Sequence, residues 1–335
     1  MTTTDKLQNH LLPSTSSLQF QYRYHSVKDS IIDDDIKELL LFFQKDKKCS
    51  FLLYGENDTG KTSLVHSYLT DYYNLSNIDD IKQCEYIYKY NGLCDNGIHY
   101  FKQEVFTFCK LTISSNTKLT LFIDNIDNIN EHYQLVLKDC LEQYEHKLNV
   151  IITCKNIEKI KEYLRSRVYI VKLNKYKLDN IKSILTRINN DYHLRIDQES
   201  QYYLLQKCDY SLVKLFSMLE TLRLYHINEN INIQIVKQLC CYINDDMFTE
   251  FTTLWFENKD LKIAILRLKH ILNMGYSIID IYEMYFTFIK QTNVIPDKIK
   301  HNVIKTISKY IIRFYCIHEH DIELFLFTFD LFKIE

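Results

Sequence analysis

Two glycines, Gly55 and Gly60, constrain this chain more than any other feature, because it holds only 5 Gly in 335 residues. They bracket Glu56-Asn57-Asp58-Thr59 and are followed by Lys61-Thr62-Ser63, so the stretch reads G-x-x-x-x-G-K-T. The apolar run Phe51-Leu52-Leu53-Tyr54 precedes it and has the length of a buried strand. Leu64, Val65, Tyr68 and Leu69 follow at helical spacing. Strand, glycine-bounded loop and helix in that order are the context a phosphate-binding P-loop requires. Backbone N–H groups of such a loop and of the helix N-terminus converge on anionic oxygens. Lys61 is placed to reach the β- and γ-phosphates and the Thr62 hydroxyl to ligate Mg²⁺. The candidate nucleotide-binding residues are therefore Gly55, Glu56, Asn57, Asp58, Thr59, Gly60, Lys61, Thr62 and Ser63.

Downstream, Leu119–Asp124 is a second apolar run that ends in a carboxylate. Behind a P-loop, an Asp at the end of such a strand holds the Mg²⁺ shell, so Thr62 and Asp124 are the expected metal residues. Cys84–Tyr90 and Val150–Cys154 read as further strands, the first followed by a turn-rich loop at 91–97. Ile31–Phe43, Ile98–Cys109 and Glu131–Tyr144 read as helices. Strands alternating with helices predict an α/β domain with a parallel sheet covered on both faces and a ligand at the C-terminal ends of its strands.

Strand signals fade from Leu178 onward. Leu178–Asn189, Gln198–Lys207 and Leu212–Leu224 predict three short helices, and residues 231–335 are helical and rich in aromatics. Tyr282, Tyr285, Phe286 and Phe288 could form a binding stripe, but aromatics at helical spacing more often pack a core. The division predicted is a mobile segment 1–20, a nucleotide domain 21–174, a helical lid 175–230 and a helical oligomerisation region 231–335.

Composition narrows the function further. A net charge of −2 gives no global positive field for nucleic acid, so any DNA contact must be local or shared with partners. Ten Cys without a C-x-x-C pair, and no secretory signal, predict a reduced compartment rather than secretion. No apolar run reaches membrane-spanning length.

The order of these pieces resembles the small subunits of replication factor C, the AAA+ clamp loader, over roughly residues 22–335. Tyr22-Arg23 is similar to the family's Tyr-Arg-Pro element near the adenine, with Tyr24 in place of Pro. Residues 89–109 resemble its Asn-Ala-Ser-Asp-x-Arg-Gly-Ile segment; Asn91, Asp95, Gly97 and Ile98 keep their places and Asn96 replaces Arg. Residues 123–144 resemble the Asp-Glu-Ala-Asp box and its helix. Residues 150–168 resemble the sensor 1 strand and Ser-Arg-Cys motif, with Ser166-Arg167 kept and Val168 replacing Cys. GYSIIDIYEMYFTFIK (275–290) is similar to the family's Gly-Tyr-Ser-x-x-Asp-Ile collar helix.

The resemblance implies a AAA+ α/β nucleotide domain, a helical lid and an all-α collar, with ATP and Mg²⁺ as cofactors. It implies a hetero-pentamer with other clamp-loader subunits that places a PCNA-like sliding clamp on primer–template DNA. The setting implied is a nuclear or cytoplasmic replication site, a viral factory included. It further implies that Arg167 acts in trans as an arginine finger, that Tyr22, Arg23 and Asn156 contribute to nucleotide binding, and that Lys138 faces the ring's interior. The departures bear on mechanism. Asn125 stands at the catalytic Glu position and cannot act as a base toward water. Lys155 stands at the sensor 1 Asn with Asn156 beside it, Val213 and Lys214 stand near the sensor 2 Arg, and Asp58 replaces a loop Gly. Two other readings remain: a non-hydrolysing structural subunit and a stand-alone P-loop NTPase.

Overall fold

The computed structural model describes residues 17–46, 50–93, 97–111, 118–225, 230–240, 243, 245–316 and 320–334. Residues 1–16, and Cys94, Asp95 and Asn96 of the turn-rich loop, lie outside them. Packing divides the chain into two units, 1–232 and 233–335.

The first unit opens with the short helix α1 (Leu18–Gln21) and with α2 (Asp34–Asp46). Leu18, inside the segment expected to be mobile, is fully buried. β1 (Phe51–Tyr54) leads into α3 (Lys61–Tyr73), β2 (Ile87–Asn91) into α4 (Ile98–Lys110), and β3 (Leu119–Asp124) into α5 (Glu131–Tyr144). β4 (Leu148–Cys154), the one-turn α6 (Glu162–Arg165) and β5 (Tyr169–Lys172) complete the sheet. All its pairings are parallel and its order is β2-β3-β4-β1-β5, which puts β1 in the interior.

Alternation along the strands builds two cores, because successive side chains point to opposite faces. Leu52, Leu121, Ile123, Val150 and Ile152 pack with α4 and α5 on one face. Phe51, Leu53, Phe122 and Ile151 pack with α2 and α3 on the other. Burial on both faces is why these strands read as continuous apolar runs. β5 escapes that signature. It is an edge strand on which only Val171 is buried, while Tyr169 and Ile170 are exposed. Three helices follow: α7 (Leu178–Asp191), α8 (Gln198–Lys207) and α9 (Leu212–Tyr225).

The second unit consists of α10 (Ile233–Cys240), α11 (Asp245–Phe256), α12 (Leu261–Asn273), α13 (Ile278–Gln291), α14 (Asp297–Cys316) and α15 (Ile322–Phe332). Its Gly-Tyr-Ser-x-x-Asp stretch has a local physical reason. Gly275 takes φ +97° just past the end of α12, a left-handed conformation that costs glycine little. Ser277 then caps α13 with a capping box: its Oγ accepts from Asp280 N (3.2 Å), and Asp280 Oδ2 accepts from Ser277 N (3.4 Å). Tyr282, Tyr285 and Phe288 are buried and Phe286 is partly buried, so the aromatic stripe is core. Among the described residues, no helix is long and apolar enough to cross a membrane.

Candidate nucleotide site

The site forms where β1, β3 and β4 end. Thr62, on the first turn of α3, donates to Asp124 at the end of β3, 3.0 Å to Oδ1 and 3.2 Å to Oδ2. Thr153, on β4, donates to Asp124 Oδ1 at 2.5 Å and accepts from the backbone N–H of Asn125 at 3.0 Å. Asp124 and Thr153 are both buried, so the carboxylate is aimed by two hydroxyls. A hydroxyl and a carboxylate are hard oxygen donors of the kind Mg²⁺ takes, one or two from protein and the rest from phosphate and water. The pair therefore fits that ion.

Lys61 is also buried. Its Nζ donates to the carbonyls of Gly55 (2.9 Å) and Glu56 (2.5 Å) and lies 3.4 Å from Thr59 Oγ1. Burial lowers its pKa, and Cys154, Asp127, Asp124 and Asp58 pull it back up. Gly60 caps α3 at φ +79°, and a Cβ there would strike the Tyr176 hydroxyl. A Cβ on Gly55 would stand 2.5 Å from the Leu173 carbonyl. Gly55 is thus required by close approach to the backbone of the segment after β5, and Gly60 by its left-handed backbone.

That segment also lines a cleft, together with Ile31, Ile32 and Ile36 from the N-terminal side. Burial first, then the field of Asp58, pushes the Tyr176 phenol up to about 12, so it stays a neutral donor. Thr59 is buried and donates to the Glu56 carbonyl (3.0 Å), which tightens the loop. Glu56 pairs with Lys175 (2.9 Å), which lowers its pKa, while Ser63 accepts from Ser67 Oγ (3.1 Å). Asn57 is exposed at the loop tip.

Other expected residues lie differently. The Tyr22 hydroxyl donates to Asp191 on α7 (2.6 Å) and its ring stacks on Phe216 of α9, while Arg23 lies over the Phe20 ring. The Tyr24 carbonyl accepts from Ser67 Oγ on α3 (2.6 Å), and burial raises the pKa of its phenol. The Asn156 side chain accepts from Glu158 N (2.9 Å), capping its own short turn. Asn125 sits beside Asp124 with φ +56°, its amide 3.5 Å from Asn91 Oδ1. Arg167 is exposed and bonds the Tyr163 carbonyl (2.6 Å) and Glu142 (2.5 Å), and Glu142 also pairs with Lys138 (3.2 Å).

Thr153, Asp127, Tyr176 and Ser211 were not singled out by the sequence. Asp127 Oδ1 is buried without a partner, and Oδ2 accepts from Asn156 N (3.4 Å). Thr153 had a weak signal, a polar residue near the end of an apolar strand. Ser211, just before α9, donates to Asp58 in the loop at 2.7 Å across 153 residues of sequence.

Strand order, glycine-bounded loop and aimed carboxylate together define a P-loop nucleotide-binding domain of the AAA type. Residues 51–175 match the ATPase family associated with various cellular activities (AAA). The chain is 23% identical to a replication factor C small subunit of Sulfurisphaera tokodaii over 283 residues, 84% of each chain. It is 23% identical to a replication factor C subunit 2 of Dictyostelium discoideum, over 86% of this chain and 83% of that one. With a replication factor C small subunit of Acanthamoeba polyphaga mimivirus it shares 24% identity over 53% of this chain and 54% of the relative. The Thermotoga maritima RuvB Holliday junction branch migration motor has a similar fold (TM-score 0.52, 16% identity, 74% of this chain and 85% of that one). Residues 51–175 thus carry an AAA domain, and over most of its length the chain is similar to replication factor C small subunits.

Proposed function

We propose that this chain is a nucleotide-binding subunit of a sliding-clamp loader, one that holds ATP firmly and hydrolyses it poorly at its own site. The observation that carries this reading is the convergence of Lys61, Thr62 and Asp124 with Asn125 standing next to them. Loop N–H groups from Gly55 to Ser63 would cradle the phosphates and Lys61 would turn from its own carbonyls to them. Thr62 and Asp124 would hold Mg²⁺, which neutralises phosphate charge when bound. The cleft beside Tyr176, lined by Ile31, Ile32 and Ile36 and by Asp33, Asn174 and Lys175, would have to widen to take the base. Asn125 has no basic oxygen for the attacking water, so hydrolysis would be slow.

Arg167 would serve a neighbouring subunit's phosphate. Its pairing with Glu142 is exposed, and exposed pairs are weak enough to be exchanged for a polyanion. Lys138 shares Glu142 and also Asp139, so its charge is locally compensated, in keeping with DNA contact through an assembly of several subunits, clamp and primer–template.

The test is reconstitution of the loader with its sliding clamp and primed DNA. Arg167→Ala is expected to leave ATP binding by this chain intact and to lower the assembled ATPase by about a thousandfold at the neighbouring site. Full ATPase and clamp loading by the mutant assembly would favour a purely structural subunit, the reading to which the Arg167–Glu142 pair lends weight. Turnover of about 1 s⁻¹ by the isolated chain, unchanged in Asn125→Glu, would contradict the impaired site.

A further inference from the structure

The P-loop carries a carboxylate, Asp58, where polyphosphate would make any added anion unfavourable. Asp58 is also one of the few non-glycine residues with a left-handed backbone (φ +62°). Asp tolerates that conformation better than most residues, but it persists only where the surroundings hold it. The surroundings here are the start of α9. Ser211 Oγ donates to Asp58 Oδ2 at 2.7 Å and accepts from the Lys214 backbone N–H at 3.2 Å. One hydroxyl thus caps a 14-residue helix and binds the loop carboxylate. A carboxylate at that place is favoured by the positive end of the helix dipole. Ser211 is itself buried while Asp58 is exposed, so the contact is partly sheltered from water.

We propose that Asp58 and Ser211 form a latch that makes polyphosphate binding conditional on the position of α9. With the latch closed, the Asp58 charge is bonded to Ser211 and opposed by the helix N-terminus, and it is held off the phosphate cradle. With α9 displaced, the same carboxylate is an unpaired anion inside the cradle, and affinity falls. The loop is thereby a sensor of the three-helix segment α7–α9, working through a serine hydroxyl one turn before Lys214. The inference rests on the nucleotide-binding reading above and deepens it.

The test is titration of the full chain with fluorescent ATP in five forms: wild type, Asp58→Asn, Ser211→Ala, Ser211→Asp and Asp58→Asn/Ser211→Asp. Ser211→Asp keeps an oxygen that caps α9 but sets a second carboxylate against Asp58. It is expected to weaken binding about tenfold or more, Ser211→Ala by about threefold to tenfold, and Asp58→Asn is expected to bind at least as well as wild type. Asp58→Asn is expected to restore most of the loss in Ser211→Asp, which a merely structural role for Ser211 would not allow. Equal losses for Ser211→Asp with and without Asp58→Asn would overturn the latch while leaving nucleotide binding in place. Absence of binding by wild type would overturn the nucleotide reading and the latch with it.

Discussion

The α/β unit and the C-terminal helical unit bury polar groups for different ends. In the α/β unit Thr59, Lys61, Asp124 and Thr153 are buried and gather where β1, β3 and β4 stop. Asp127 beside them keeps a buried oxygen without a partner. In the helical unit several buried polar groups answer one another, although the buried Tyr282 hydroxyl has no hydrogen-bond partner. Trp255 Nε1 donates to the Tyr285 hydroxyl at 2.9 Å, Thr252 lies 3.1 Å from that hydroxyl, and Thr328 donates to the carbonyl one turn back. Polar groups left facing outward from a core call for a ligand, whereas groups closed on each other specify packing. The helical unit instead turns apolar groups outward: Ile322, Leu326 and Phe329 are exposed along α15 at helical spacing. Such a stripe suits association with other subunits.

Four measurements break or sharpen this contrast. The largest effect is expected in the helical core. Phe327 is fully buried against Tyr282, Tyr285 and Tyr310, and Phe327→Ala should cost about 3–5 kcal/mol. Denaturant unfolding followed by tryptophan fluorescence reads this unit selectively, because Trp255 is the chain's single Trp. A loss below about 1 kcal/mol would mean that the aromatic cluster is not a tight core.

Next comes Lys61. Removing a charge-assisted phosphate contact typically costs about 1.5–3 kcal/mol, so Lys61→Ala should bind ATP roughly ten- to a hundredfold more weakly. Equal affinities in a titration would show that the convergence at the strand ends is structural only.

The third measurement is pH dependence. Burial, then Lys89, Arg23 and Lys82, lowers the His66 pKa to about 3 from the ordinary 6.5. Between those values the unfolded chain binds a proton that the folded chain refuses. Stability should therefore be full above pH 6.5 and fall below it, by up to about 1.4 kcal/mol per pH unit. Far-UV circular dichroism of denaturant unfolding at pH 7 and pH 5 should show a loss of about 2 kcal/mol, reduced in His66→Gln. An unchanged difference in that variant would assign the loss to other groups.

The smallest effect belongs to Glu142→Gln. It frees Arg167 and Lys138 from an exposed partner, and the unfolding midpoint should barely move. If the chain assembles as proposed, the assembly's affinity for DNA should rise instead, and a drop would mean that Glu142 positions these cations productively.

The phosphate grip was legible because it is local. Gly55 to Thr62, the strand before them and the helix after them lie within one short stretch, and loop geometry follows from spacing alone. Asp124 was legible because a doubly buried strand is a continuous apolar run that ends abruptly in a charge. The helices were read nearly to their ends, as Glu131–Tyr144 and Gln198–Lys207 show, since amphipathic period survives without context. β5 was missed for the converse reason: an edge strand with one buried residue has no such run.

What only the tertiary structure decided are the partners from afar. Thr153 meets Asp124 because β4 lies beside β3, and Tyr176 closes on Gly60 because β5 lies beside β1. Tyr22 was drawn to Asp191 and Phe216 rather than to the loop, and the Tyr24 carbonyl is held by Ser67 on α3. Asp58 reaches Ser211 across more than 150 residues. Sequence spacing carries information only over the few residues that one strand, loop or helix spans; beyond that, which side chains meet is set by strand order and helix packing, and these follow from burying the whole core at once.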